Sequence, residues 1–323
     1  METIMASASD VENKLEPLSV LKSNLAVNVK QRKRSDFLFS LVGLMSLLFA
    51  LITLLALFVD LAMTGVPRID LAFFAEFPSR FASKAGILSA WVGTFAVMIT
   101  TAFCAIPMGI AAGIYLEEYA PKNWLTRLIE LNIINLAGVP SITFGLMALG
   151  LFVYKLQLGQ SILTAGLTLG LLVLPIIIVT TREAIRTIPN SIREASYGLG
   201  ATHWQTIQDH ILPYSSGGIL TGVIIALSRA IGETAPLVTI GALTFIAFLP
   251  SSPVSPEYPF LSFKWLMDSF TVMPIQMFNW ISRPQAEFHV NAAATGVVLL
   301  LMTLIMNGIA IFIRYRFRKK MKW

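Results

Sequence analysis

The chain has 323 residues, of which 55% are hydrophobic and only 13% charged, with a mean hydropathy of +0.72; most of it cannot be the surface of a water-soluble globule, and an integral membrane protein is expected. The formal net charge of +6 does not point to nucleic acid, because the basic residues sit at the ends of apolar runs. A single cysteine, Cys104, excludes an intramolecular disulfide, and His203, His210 and His289 are too scattered for a metal site.

Residues 1–36 are polar, mixed in charge and end in Lys30-Gln31-Arg32-Lys33-Arg34; they lack the apolar core of a removable signal and read as a cytosolic tail. Residues 37–323 read as one transmembrane domain. A first span is expected at 37–63, long enough to cross about 30 Å of hydrocarbon at about 1.5 Å per residue. The second, 87–115, carries Pro107 and the pair Gly109 and Gly113. Glycines four apart make a flat strip on which another helix packs closely. A loop with Glu117, Glu118, Lys122 and Arg127 leads, through a short amphipathic helix, into a third span expected at 133–154, and a fourth at 161–181 again has glycines four apart, Gly166 and Gly170. The polar segment 182–213 precedes a fifth span at 217–248. An outer segment rich in proline and aromatics, 249–291, precedes a sixth at 292–313, which ends in a basic run from Arg314 to Lys322.

Most of the 24 Lys and Arg fall in the tail, the loop after span two, the 182–213 segment and the C-terminus, so both termini are placed in the cytosol. The expected fold is therefore all-α integral membrane, with six transmembrane helices, both termini cytosolic and a short cytosolic helix between spans four and five.

The 182–213 segment has its own local code. Pro189-Asn190-Ser191 starts a helix, with Glu194 three residues after Ser191 as in a capping box. That helix, about 192–199, is expected to stop at Gly198 or Gly200, where a left-handed cap costs little. A second turn with Trp204, Ile207 and Ile211 on one face runs to Pro213. Spacing alone fits two readings, a knob that fills a groove in a soluble partner or an amphipathic helix lying on the bilayer.

Span five carries Arg229 and, four residues on, Glu233. Arg229 is expected about 18 Å along the span, near mid-membrane. A central Arg costs at least about 2.5 kcal/mol to insert, so it needs a partner or a wet cavity. One reading is an ion pair within the helix; the other is a counter-charge for a permeant anion, since the guanidinium fork binds carboxylate or phosphate bidentately. Pro236 has no amide hydrogen for the carbonyl of Gly232, so a bend is expected beside the pair, either static or a hinge.

Glu194-Ala195-Ser196, then Gly200 and Leu212-Pro213, resemble the cytosolic loop of importer-type ABC transporter permeases. The run from Arg229 to Pro236, Arg-Ala-Ile-Gly-Glu-Thr-Ala-Pro, together with Thr181-Arg182-Glu183-Ala184 and the stretch from Ser191 to Thr202, is similar to the PstA permeases of phosphate-specific ABC importers. Looser similarity extends over residues 87–240. The resemblance implies that 182–213 is a coupling loop whose helix sits in a cleft of an ATPase through Glu194, Ala195, Ser196 and Gly200. It implies that Arg229, Glu233 and Pro236 belong to the substrate pathway or its gate. It further implies inorganic phosphate as substrate, a PstC-type permease, two PstB-type ATPase subunits and a periplasmic PstS-type binding protein as partners, and a bacterial inner-membrane location. No Gly-Lys dipeptide occurs, hence no phosphate loop for ATP; no cofactor is expected on this chain, and ATP with magnesium belongs to the partner. Competing readings are a permease for another oxyanion such as sulfate or molybdate, an ATP-independent anion transporter, and a non-transporting anchor or sensor subunit.

Overall fold

The computed structural model describes residues 2–254, 260 and 262–320, with side chains at 33, 35–254, 260 and 262–316. The end of the expected basic run, from Phe317 onward, and part of the outer segment, 255–259 and 261, therefore lie outside the described side chains. The regular structure is helical. Among the described residues five helical runs are long and apolar enough to cross a membrane, or six if one sharply bent pair counts as a single span.

The chain divides into two units, Met1–Asp60 and Leu61–Trp323. Nearly all of the first is helix α1 (Glu2–Gly65). It starts far ahead of the expected span, so the segment read as a tail has a helical backbone. Its side chains from 35 to 60 are exposed and mostly apolar.

The second unit opens with the short helix α2 (Leu71–Ala75), capped by Asp70, whose carboxylate accepts from the Phe73 amide at 2.7 Å. Its centre is α3 (Leu88–Ile114) packed against α6 (Ile162–Arg186). The glycine strips explain the closeness. A Cβ at Gly109 would lie 2.6 Å from Cγ2 of Ile177, and one at Gly113 would lie 2.7 Å from Cβ of Thr181; in return Gly166 of α6 abuts Thr100 of α3. Backbones can approach only where no side chain intervenes. Hydroxyls in this apolar setting turn back on their own helix: Thr94, Thr101 and Thr168 donate to the carbonyls of Ala90, Val97 and Thr164, so no polar atom of theirs is stranded.

The third expected span is corrected by the structure. It is two helices, α4 (Trp124–Leu136) and α5 (Ser141–Ala148), the latter continued by a π-helical turn, Leu149–Lys155. They meet at 106°. The cause is Gly138-Val139-Pro140: proline disfavours a helical residue before it, and Pro140 itself takes φ −55°, ψ 134° as the N-cap of α5. Asn123 caps α4 by accepting from the Thr126 amide at 2.9 Å. At about 1.5 Å per residue, neither piece reaches across about 30 Å of hydrocarbon alone.

After α6 come α7 (Asn190–Gly198), α8 (His203–Thr206) and α9 (Leu212–Gly232), the last two joined by a π-helical turn, Ile207–Ile211. Helix α9 packs along α6, where Gly218 meets Ala184 and Gly222 meets Thr180. Then follow α10 (Ala235–Thr239), α11 (Met273–Ile281) and α12 (Ala286–Lys320). One core joins α3, α5, α6 and α9 through Phe144, Val173, Ile177 and Ala226; a second, around Leu237, Ile240 and Phe270, seats α10 and the segment leading into α11. Helices α9 and α12 also share polar contacts, Ser228 with Asn307 at 2.6 Å and Arg314 donating to Thr221 at 2.7 Å.

Candidate functional site

The polar loop between α6 and α9 begins where α6 ends, at Arg186. Pro189 is the N-cap of α7, and no side chain caps that end. The expected Ser191–Glu194 capping box does not form, because the helix starts two residues earlier, with Pro189 as N-cap, and places Ser191 inside the first turn. Glu194 and Ala195 are instead exposed. At the other end Gly200 adopts φ +86°, and its amide donates to the carbonyl of Tyr197 at 2.9 Å. This is the left-handed stop expected from the sequence, and a side chain there would be strained. The capping box falls one helix later: Thr202 and Gln205 cap α8 reciprocally.

Ser196 is buried, and its hydroxyl lies 2.8 Å from that of Thr206. Ala195, Glu194 and Leu199, the last 90% exposed, are left on the open side of α7. Ile207 and Ile211 are fully buried with Ile185 and Ile188 beneath the loop. Trp204 does not join them and is 54% exposed; three residues before Ile207 it lies about 60° round the helix from it, enough to leave it at the edge of the buried face.

The residues that position α7 are ones that reading for motifs did not single out as site residues. Helix α3 closes in a π-helical turn, Tyr115–Tyr119. Its two adjacent glutamates diverge by roughly 100° around the axis and reach different helices. Glu117 accepts from Nε of Arg186 at 2.9 Å and lies 3.4 Å from Nε of Arg182, whose Nη2 is 2.6 Å from Glu130 of α4. Glu118, with only 6% of its side chain exposed, accepts from Nη2 of Arg193 at 2.6 Å. Arg193 also donates to the carbonyl of Ile188 at 2.9 Å, beyond the last turn of α6. Arg186 is half exposed beside a polar cavity of about 250 Å³ that Lys122 and Arg127 also line, so solvent screens its pairs. Arg182 lines the same cavity with only 6% of its side chain exposed, whereas Glu118 lies away from it, also 6% exposed. Their signal in the sequence was two glutamates closing one apolar run and arginines four apart closing another.

Around the same carboxylate, His203 packs edge-on against Tyr119 with ring centroids 4.6 Å apart, and its Nε2 stands 3.9 Å from Glu118. Burial, with the Glu118 charge behind it, pushes the Tyr197 phenol up, which keeps it neutral.

The charged pair lies at the other end of α9. The span expected at 217–248 stops at Gly232: Glu233 is extended at φ −75°, ψ 123°, and α10 starts at Ala235. Arg229 is thus in the last turn of α9, where the helix dipole favours a cation, and not at the middle of a longer helix. Pro236 is not a kink within one helix but part of the first turn of the next, where its missing amide hydrogen costs nothing. Nε of Arg229 donates to Oε1 of Glu233 at 3.2 Å; their side chains are 40% and 17% exposed. Pro236 is buried against Gly145 of α5, where a Cβ would come within 2.7 Å of its Cα and carbonyl oxygen. Arg229, Glu233 and Pro236 therefore gather at one break in the fold, and Glu194, Ala195, Ser196 and Gly200 at another.

The family described as "Binding-protein-dependent transport system inner membrane component" matches residues 105–323. The "Probable ABC transporter permease protein YqgI" of Bacillus subtilis is 30% identical over 85% of this chain and 94% of its own length. The "Phosphate transport system permease protein PstA" of Yersinia pestis is 31% identical over 90% of this chain and 92% of its own. Among solved structures, a chain of the MetNI methionine ABC transporter in an inward-facing conformation superposes with a TM-score of 0.54 at 17% identity, covering 70% of this chain and 94% of that one; at that identity the likeness concerns the fold. With its apolar helices, its loop between α6 and α9 and these relatives, the chain belongs to the binding-protein-dependent inner-membrane components, the permeases of ABC transporters.

Proposed function

We propose that this chain is the PstA-type permease subunit of an ATP-driven importer of inorganic phosphate, non-catalytic itself and forming half of the translocation pathway. The observation that carries this reading is the build of α7. One side is held to the body by Ser196 and Arg193, and the other presents Glu194, Ala195 and Leu199 to whatever lies outside. A helix meant to lie on a bilayer would turn a wide apolar stripe outward; here Ala195, Tyr197 and Leu199 are exposed beside the carboxylate of Glu194, a mixed surface that suits a groove in a soluble protein.

In this reading both termini and α7 are cytosolic, two PstB-type ATPase subunits bind ATP and magnesium, a PstC-type permease supplies the other half of the pathway, and a PstS-type protein delivers phosphate from the periplasm. Phosphate as the substrate is favoured by relatives named PstA from Yersinia pestis and Haemophilus influenzae, similar over 90% and 93% of this chain. Arg229 gives the pathway a permanent positive charge. Glu233 neutralises it when no anion is present, and a passing phosphate competes for the same guanidinium. Because the pair is partly exposed, the competition is weak enough for release, as conduction requires.

The test is uptake by the reconstituted complex of this chain with its PstC-, PstB- and PstS-type partners. ATP-dependent uptake selective for phosphate over sulfate, lost in Arg229→Gln with the complex still assembled, is the expected result. Sulfate or molybdate uptake would make it a permease for another oxyanion, and uptake without the ATPase would make it an ion-coupled transporter. Selective uptake that survives Arg229→Gln would leave that residue structural.

A further inference from the structure

We infer that Glu118 and Arg193 form the joint through which α7 moves the membrane helices, a positioning pair for coupled transport that rests on the reading of α7 as the coupling helix. Helix α7 has only nine residues, and its chain connections are a proline at one end and the left-handed Gly200 at the other. Neither connection fixes the direction in which a push on α7 is delivered. Side chains must do so, and the one that does so through an ion pair is Arg193, whose guanidinium makes its 2.6 Å contact with Glu118 and donates to the carbonyl of Ile188 in one arrangement.

Three elements meet at that guanidinium. Glu118 belongs to the turn that closes α3; Ile188 and, more loosely at 3.4 Å, Ile185 offer the carbonyls at the end of α6; Arg193 itself is in α7. The Glu118 side chain is 6% exposed and that of Arg193 16%. Parting them would strand a buried charge, so α7 cannot swing while α3 stays behind. The alternative route into α8 and α9 has one side-chain hydrogen bond, the neutral 2.8 Å hydroxyl contact of Ser196 with Thr206, roughly half as strong as a charge-assisted bond, beside the Tyr197–His203 ring contact and the apolar packing of Ile192.

What α3 receives, α6 shares. The reciprocal glycine contacts, Gly109 on Ile177, Gly113 on Thr181 and Gly166 on Thr100, leave no slack between the two helices, and close-packed interiors transmit strain instead of absorbing it. Glu117, next to Glu118, holds Arg186 and faces Arg182 on α6. The movement of α7 is thus delivered to α3 and α6 as one slab. The exposed side of α7, with Glu194 and Leu199, remains free to hold the ATPase.

The experiment uses the full reconstituted complex and reads phosphate taken up per ATP hydrolysed, together with the ATPase rate stimulated by the binding protein. Glu118→Gln and Arg193→Gln should keep ATP hydrolysis while the ratio falls about ten-fold. Glu118→Arg and Arg193→Glu should each do worse, and the double exchange should exceed both, because opposite charges again face each other. It will not restore the wild-type ratio, since a glutamate at 193 cannot donate to the Ile188 carbonyl. If uptake and hydrolysis fall in the same proportion, or the exchange is no better than its two halves, the pair only holds the fold and the inference is wrong. A wild-type complex that hydrolyses ATP without taking up phosphate would instead overturn the functional reading, and this inference with it.

Discussion

Arginine meets glutamate at both ends of the α6–α9 region, and the two arrangements differ in kind. Near the loop between α6 and α9, Arg182 and Arg193 each bridge different helices, and one member of each pair, Arg182 and Glu118, keeps only 6% of its side chain exposed. At the far end of α9, Arg229 meets a glutamate four residues away on its own strand of chain, and 40% of its side chain is accessible. The first set ties helices together and would be expensive to break. The second ties nothing together, and so leaves a cation available. A buried cross-helix pair fits the proposed joint, whereas a partly open local pair fits the proposed charge kept for a ligand.

Removing Arg182 should do most to sharpen this contrast. Arg182→Met takes from Glu130 its 2.6 Å partner while Glu117 keeps Arg186, and a loss of about 3 kcal/mol is expected for the stranded, partly buried carboxylate. Thermal unfolding of the purified complex would report it; an unchanged midpoint would mean that the network is wet and the contrast false. Gly145→Val should cost about 1–3 kcal/mol by overpacking against Pro236, and it should also lower phosphate uptake by displacing the break that holds Arg229. A variant with normal stability and uptake would show that α5 gives way there. Glu233→Gln should shift stability least, within about 0.5 kcal/mol for a partly exposed pair four residues apart, yet change uptake clearly because it unmasks Arg229. Should it destabilise as much as Arg182→Met, the pair at the end of α9 is structural and the comparison collapses.

Part of this site was legible in the chain alone. The strip Gly109 and Gly113 marked a close helix contact, and Gly200 marked a left-handed stop; both follow from what a missing Cβ permits, which is local. The similarity carried by Glu194 to Gly200 and by Arg229 to Pro236 pointed to the ABC permease family, to which the chain belongs. The break of the third expected span was written in Gly138-Val139-Pro140 but outweighed by the hydropathy around it. Trp204 was placed with Ile207 and Ile211 by a period of 3.6, yet three residues before Ile207 it lies about 60° round the helix, at the edge of the buried face. The span holding Arg229 was expected to run on to 248, because hydropathy does not mark that α9 ends at Gly232, three residues beyond it.

By itself, then, the sequence determined the membrane class, the helical make-up, the close approach of certain helices and the family, because apolar runs, small residues and short motifs act over a few neighbouring positions. Only the tertiary structure decided which glutamate answers which arginine, that α4 and α5 part at 106°, and that Glu118 and Arg193 meet across 75 residues of chain. Those outcomes depend on distances between elements remote in sequence, and charge pairing over such separations is settled by how the helices pack.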